Sequence, residues 1–75
     1  MNTYYITETQ NGNSVRQAES ITCKNISSAK RQATKAQYYF GTVLKIYASS
    51  GHNGYGEGLI STKHTGFANK WVDEL

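Results

Sequence analysis

The chain has 75 residues and a net charge of +3, with 37% hydrophobic residues, so we predict one domain over residues 1–75. It contains no run of about 18 apolar residues, and its polar N-terminus lacks the charged head and apolar centre of a signal peptide, which argues against a membrane span or a leader. The single cysteine cannot form an internal disulfide. This composition fits a protein of the reducing cytosol.

Two strands joined by a tight turn are predicted at the start of the chain. Residues 3–9 are rich in β-branched and aromatic side chains, which favours a strand. Asn11-Gly12 is a strong hairpin signal, since a type I′ turn needs positive φ at both central positions. Residues 15–24 then pair back as the second strand. Cys23 is expected to be a small buried side chain on this strand; a reactive thiol is the alternative.

A single helix is predicted next. Ser27 is a suitable N-cap, because its hydroxyl can accept a hydrogen bond from a free backbone N–H. The helix is expected to run from Ser28 to Tyr38 or Tyr39, and Gly41 suits a left-handed C-terminal cap. Small side chains on one face would let the helix lie close to a sheet, with bulkier residues at its ends. The residues expected on that face are Ile26, Ala29, Ala33, Ala36 and Phe40.

Three further strands are predicted in the second half of the chain. They cover residues 42–48, 59–63 and 70–75, and a glycine-rich loop spans residues 49–58. Trp71 on the last strand is expected in the core. The predicted fold class is α+β: a five-stranded antiparallel sheet with one helix packed on one face, in the order ββαβββ.

The residues that could support catalysis or metal binding are scattered. His52 and His64 stand alone in turns, without the ligand spacing of a metal site. Cys23, His64 and Asp73 could form a nucleophilic triad on paper, but no signature surrounds them. The glycine-rich loop lacks a Gly-Lys-Ser/Thr motif and does not open a helix. We therefore predict a protein that is not an enzyme and has no metal or cofactor.

Positive charge is concentrated in the middle of the chain. No Asp or Glu occurs between Ser20 and Gly56. The helical cations have no acid three or four residues further on, and Tyr38 beside them could anchor an interface. This pattern favours a surface that binds phosphates or an acidic protein over a merely solvated helix face. The cations of this segment are Lys24, Lys30, Arg31, Lys35 and Lys45.

A set of short motifs is distributed along most of the chain. They are Tyr5-Ile6, Glu8, Gln10-Asn11, Asn13-Ser14, Arg16, Lys24, Ala29-Lys30-Arg31, Ala33, Lys35, Gln37, Gly41-Thr42-Val43, Ile46 and Lys70-Trp71-Val72-Asp73. Together they resemble the small phage-encoded anti-CRISPR proteins that inhibit the type I-F surveillance complex, also called Csy or Cascade. The similarity is greatest to the ninth-numbered inhibitor family of that system, although residues 48–69 look longer and richer in glycine.

The resemblance implies a protein without catalysis that acts in the cytoplasm of the bacterial host cell. It implies binding to the backbone subunits that hold the guide RNA, which blocks pairing of target DNA with the guide. Non-specific contact with double-stranded DNA in the inhibited complex is also implied. Carried over by position, the helix residues implied in contact are Lys30, Arg31, Lys35 and Gln37. The charge pattern adds Tyr38 to this predicted binding site.

Two other functions are compatible with the same residues. The first is a small phage regulator that binds DNA or RNA directly through the basic helix. The second is a structural phage protein that dimerises through a tyrosine-rich sheet face.

Overall fold

The computed structural model describes residues 2–51, 56–66 and 70–74, in which one helix packs on one face of an antiparallel sheet. The α+β class is confirmed, but the sheet has six strands where five were predicted, and the order is βββαβββ. His52 lies outside the described residues. The elements are β1 (Asn2–Gln10), β2 (Asn13–Ser14), β3 (Glu19–Cys23), α1 (Ile26–Lys35), β4 (Val43–Ser49), β5 (Glu57–His64) and β6 (Trp71–Asp73).

The central strand of the sheet is β4, which pairs with β1 on one edge and β5 on the other. The short strand β6 pairs with β5. Both β2 and β3 pair with the other edge of β1, since β4 occupies the opposite one. Helix α1 is not long or apolar enough to cross a membrane, and the described residues contain no other α-helix.

The predicted hairpin turn is confirmed. Gln10 pairs with Asn13, so Asn11 and Gly12 form a two-residue loop. Their φ angles are 53° and 80°, both in the left-handed region that a type I′ turn needs.

The predicted second strand, residues 15–24, is observed only from Glu19 to Cys23, and the extra strand β2 lies before it, next to the turn. Pairing with β1 stops after Ser14 and resumes at Glu19, opposite Ile6. Val15 still donates its N–H to the carbonyl of Glu8 at 3.1 Å. Residues 16–18 therefore stand opposite a single residue of β1 and form a three-residue bulge. Such a bulge turns the Arg16 side chain away from the strand's normal alternation.

The core lies between α1 and the sheet. Ala29 and Ala33 are completely buried, so the helix backbone lies close to the strands, as the alanine spacing predicts. Cys23 is a free, buried thiol, which confirms the small buried side chain. Ile26 and Trp71 are partly buried and pack against this core. The buried core cluster consists of Ile6, Ile21, Cys23, Ala29, Ala33 and Ile46.

The helix begins two residues earlier than predicted. Asn25, not Ser27, is the N-cap, in an extended conformation with φ −155° and ψ 177°. Its side-chain Oδ1 accepts a hydrogen bond from the Ser28 N–H at 3.0 Å. Asparagine and serine are similarly good caps, so the local sequence did not distinguish them.

The helix also ends earlier, and this changes the place of Phe40. Ala36 is the C-cap, whereas the sequence predicted a helix as far as Tyr38 or Tyr39. Gly41 does have a positive φ of 77°, but it lies in the turn before β4 and does not cap the helix. Phe40, expected against the sheet, is 93% exposed. That expectation was wrong because the chain leaves the helical path before it reaches Phe40.

Candidate protein-binding surface

A buried carboxylate organises the segment that follows the helix. The Glu8 side chain is fully buried on the helix side of β1. Its two oxygens accept hydrogen bonds from the backbone N–H of Tyr38 at 3.0 Å and of Tyr39 at 2.9 Å. They also accept one from the Thr42 hydroxyl at 2.7 Å and one from Arg16 Nε at 2.8 Å. The chain turns away from the helix at the point where these N–H groups reach Glu8.

The ionised form of Glu8 is the one that this site stabilises. Burial by itself would raise the pKa of Glu8, because desolvation disfavours the charge. The hydrogen bonds from Tyr38, Arg16, Thr42 and Tyr39 outweigh burial and hold the pKa below 4.5. The carboxylate is therefore charged at neutral pH.

Arg16 is an internal cation and contributes little charge to the surface. Only 8% of its side chain is exposed. Besides the bond to Glu8, its guanidinium lies 4.9 Å from the centroid of the Tyr38 ring and 3.8 Å from the Glu19 carboxylate. The three-residue bulge at residues 16–18 thus places Arg16 between Glu8 and Tyr38.

Lys30 is the first of the predicted binding residues, and it is tied to the sheet. Its Nζ lies 2.7 Å from Asp73 Oδ1 on β6, and 22% of its side chain is exposed. The hydrogen bond from Lys30, a second one from Ser61 and the charge of Lys30 hold the pKa of Asp73 below 3.8. No acid follows Lys30 at position i+3 or i+4 of the helix, but the fold brings Asp73, from the other end of the chain, next to it.

Arg31 and Lys35 are exposed on the outer side of α1. Lys35 lies in the last turn, where a cation is favoured by the helix dipole. Lys45, from the same acid-free segment, alternates with the buried residues Leu44 and Ile46 and so lies on the sheet face away from the helix. The cations of the segment therefore do not form one patch. We use the name cationic helix face for Lys30, Arg31 and Lys35.

The half-buried Gln37 is hydrogen-bonded to other parts of the fold. Its Nε2 donates to the Tyr39 carbonyl at 2.6 Å and to the Thr65 hydroxyl at 2.9 Å, with the Thr42 hydroxyl at 3.4 Å. These contacts join the end of the helix to the residues around β4 and β5. The side-chain amide of Gln37 thus stabilises the same segment that Glu8 organises.

Three consecutive aromatic residues are displayed beyond the helix. Tyr38 is 70% exposed, Tyr39 51% and Phe40 93%. We call Tyr38, Tyr39 and Phe40 the aromatic segment. Tyr38 was predicted as an anchor from the sequence, but Tyr39 and Phe40 were missed. The available signal was three large aromatic side chains in succession, which one helix face cannot all bury.

The residues considered for catalysis are far apart. Cys23 ends β3 and His64 ends β5, and strands β1 and β4 lie between them. His64 is exposed. Among residues 2–51, 56–66 and 70–74, no group of His, Cys, Asp or Glu side chains could hold a metal ion.

The fold and surface define a small two-layer α+β protein with a cationic helix face next to an aromatic segment. Neither a protein-family model nor a curated protein sequence matches the chain. The solved structure of AcrIF9 matches the chain, with 34% sequence identity and a TM-score of 0.74. The match covers 97% of this chain and 86% of AcrIF9. The chain belongs to the AcrIF9 family of type I-F anti-CRISPR proteins.

Proposed function

We propose that this protein inhibits a type I-F CRISPR surveillance complex by binding it, without catalysing a reaction. The observation that carries the proposal is the similarity to AcrIF9 in sequence and fold along nearly the whole chain. In finer detail, we propose that it docks on the backbone subunits that hold the guide RNA. Occupying that site would prevent target DNA from pairing with the guide, to which sequence recognition is delegated.

The cationic helix face and Tyr38 are the proposed contact surface. Arg31 and Lys35 are exposed, and Lys30 beside them keeps part of its side chain accessible. These cations could contact acidic groups on a subunit or the phosphates of non-specifically held duplex DNA. Gln37, whose amide is engaged internally, would act mainly by holding the end of the helix in place.

The first test is co-migration with a purified type I-F complex by size exclusion, followed by a target-duplex shift assay on the mixture. The wild-type protein should co-migrate and block guide-directed duplex binding. The double variant Arg31→Glu with Lys35→Glu should lose affinity by about tenfold or more, since a complementary charge becomes repulsive. Lys24→Glu with Lys70→Glu is the matched control, because it changes the net charge equally at two exposed cations off this face.

Two results would count against the proposal. If the wild-type protein does not associate with any type I-F complex at micromolar concentration, inhibition by binding is wrong. If both double variants lose affinity equally, the effect is one of net charge, and α1 is not the contact surface.

Direct binding of nucleic acid is the second candidate function, and the exposure of Arg31, Lys35 and Tyr38 favours it. It predicts that free DNA binds in the absence of the complex. Affinity should then fall steeply with salt, by roughly one unit of logarithmic slope for each phosphate contact. The helix double variant should reduce that slope, whereas the Lys24 and Lys70 variant should not.

A further inference from the structure

The longest of the outer strands of the sheet has a free edge. The outer strands are β2, β3 and β6, which have two, five and three residues. In the described part of the chain, β3 pairs only with β1. A free strand edge presents unpaired N–H and C=O groups, which can serve as a template for another strand. The outer side of β3 is therefore a surface on which the backbone itself can bind a partner.

The register shows which backbone groups of β3 point outward. Val15 donates its N–H to the Glu8 carbonyl at 3.1 Å, so Glu8 and every second residue of β1 direct their groups toward β2 and β3. Ile21 pairs with one of these residues and is hydrogen-bonded to β1. Ser20 and Thr22, on either side of Ile21, consequently direct their N–H and C=O groups away from β1.

The edge of β3 lacks the features that usually prevent such pairing. Proteins protect edge strands with proline, with charged side chains or with bulges. The chain contains no proline, and Ser20 and Thr22 are small, uncharged and exposed. The charged residues on or directly next to β3 are Glu19 and Lys24, which stand at its two ends. Between these ends, another strand could approach without meeting a charge.

A groove lies between this edge and the helix. Its volume is about 480 Å³. Ile21 and Ala36 contribute apolar lining, while Gln32 and Lys35 contribute polar lining from α1. Glu19 lines it as well, so the groove has one cation and one anion, and net charge does not select its occupant. Side chains alternate along a strand, so those on one side of an added strand would enter the groove.

The proposed contact surface of the helix extends to this groove. Lys35 belongs to the cationic helix face and also lines the groove. A subunit that contacts Lys35 is therefore placed beside the free edge of β3. An extended segment fits both features, because its main chain can pair with β3 while its alternate side chains fill the groove.

We propose that β3 is a site of strand addition, at which an extended segment of a protein subunit of the type I-F complex pairs with its outer edge. This inference rests on the proposed function and names the kind of subunit structure that is bound. The N–H and C=O groups of Ser20 and Thr22 form the hydrogen bonds. Alternate side chains of the segment lie in the groove against Ile21 and Ala36.

The first test compares Ser20→Pro with Ser20→Ala for affinity to the purified complex. Proline removes the outward N–H and is tolerated where that N–H faces solvent on an edge strand. Alanine keeps the N–H and removes only the hydroxyl, so it is the matched control. Ser20→Pro should weaken binding by about tenfold or more, whereas Ser20→Ala should bind as the wild type does. Melting curves establish that both variants are folded.

Hydrogen exchange gives a second test that needs no substitution. In the free protein, the amides of Ser20 and Thr22 should exchange fast, while the amide of Ile21 is protected by its hydrogen bond to β1. In the complex, exchange at Ser20 and Thr22 should slow by about tenfold or more, because these amides acquire acceptors. The exchange is quenched after timed intervals and read residue by residue.

The outcomes separate this inference from the proposed function. If the wild-type protein does not bind the complex, both are overturned. If it binds, and folded Ser20→Pro binds as tightly as Ser20→Ala, strand addition alone is overturned. If Ser20→Pro does not fold, unchanged exchange at Ser20 and Thr22 in the complex overturns it, and slowed exchange supports it. Slowed exchange in concentrated free protein, with dimers in sedimentation, would assign the edge to a second copy and overturn the subunit as its partner.

Discussion

Arg16 Nε lies 2.8 Å from Glu8 Oε1, and both side chains are almost completely removed from water. The pair sits beneath the aromatic segment, because the same carboxylate accepts the N–H groups of Tyr38 and Tyr39. A buried ion pair is tolerated when further hydrogen bonds satisfy its atoms, as the N–H groups of Tyr38 and Tyr39 and the Thr42 hydroxyl do for the Glu8 oxygens. Here those hydrogen bonds also set where the helix ends and which rings face the solvent.

Glu8→Gln should destabilise the protein strongly. The neutral amide would leave the Arg16 charge buried without a counter-charge. The NH2 group of the new glutamine would also face the hydrogen-bond donors that now bind the carboxylate. Breaking a buried pair in this way typically costs about 3–5 kcal/mol of the free energy of unfolding. Chemical denaturation should show this loss, while Glu57→Gln, at an exposed position on β5, should stay within about 0.5 kcal/mol of the wild type. A small loss for Glu8→Gln would contradict the proposed role of the carboxylate.

Stability should fall in acid through the same group. The pKa of Glu8 is held below 4.5 in the folded protein, so the unfolded chain binds the proton more readily. The contribution is fully present above pH 4.5 and is lost as pH falls through the folded-state pKa. Asp73, whose pKa is held below 3.8, acts in the same direction at lower pH. Denaturation at a series of pH values should show this decline, and a free energy of unfolding that stays constant below pH 4.5 would refute it.

Ala33→Leu should test how closely the helix approaches the sheet. Ala33 is completely buried, so the extra carbon atoms would have to push α1 away from the strands. Overpacking of this kind costs about 1–3 kcal/mol. Gln32→Leu is the control, since Gln32 is the exposed preceding residue and leucine is a good helix former. Comparable thermal stability of the two variants would show that the interface has room that the structure does not indicate.

Gly56→Ala should be more damaging than Gly12→Ala. Both glycines have a positive φ, 102° for Gly56 and 80° for Gly12, so either substitution strains the backbone by roughly 1–2 kcal/mol. At Gly56 the new methyl group would also come within 2.6 Å of the Tyr47 ring, whereas at Gly12 it meets nothing within 4 Å. The difference in free energy of unfolding between the two variants measures this clash. Equal losses would indicate that the Tyr47 ring moves freely away.

Much of the fold could be predicted because its signals are local. The Asn11-Gly12 turn, the alanine face and the position of Cys23 follow from residue type and spacing alone, and the structure confirms them. The end of the helix could not be found in this way. It depends on hydrogen bonds between Tyr38 and a carboxylate 30 residues earlier in the chain. Phe40 was placed wrongly for the same reason.

The candidate site could likewise be predicted from the sequence only in part. The sequence identifies Arg31 and Lys35 as cations on the outer side of a helix, and both are exposed. It cannot show that Lys30 meets Asp73, 43 residues later, or that Gln37 meets Thr65, 28 residues later. A helical pattern describes neighbours within one turn, whereas these partners are brought together only by the complete sheet.

The central place of β4 has a consequence for how the chain folds. Glu8 gains its hydrogen bond from Thr42 only when a residue 34 positions downstream has folded against it. The inner edge of β1 likewise remains unpaired until β4 has formed. The hairpin of β1 and β2 is too short to be stable alone. The contacts that stabilise it involve residues that are distant in the sequence. We therefore expect folding to be all-or-none. In pulsed hydrogen exchange, amides of β1 and β4 should become protected together rather than in the order of synthesis.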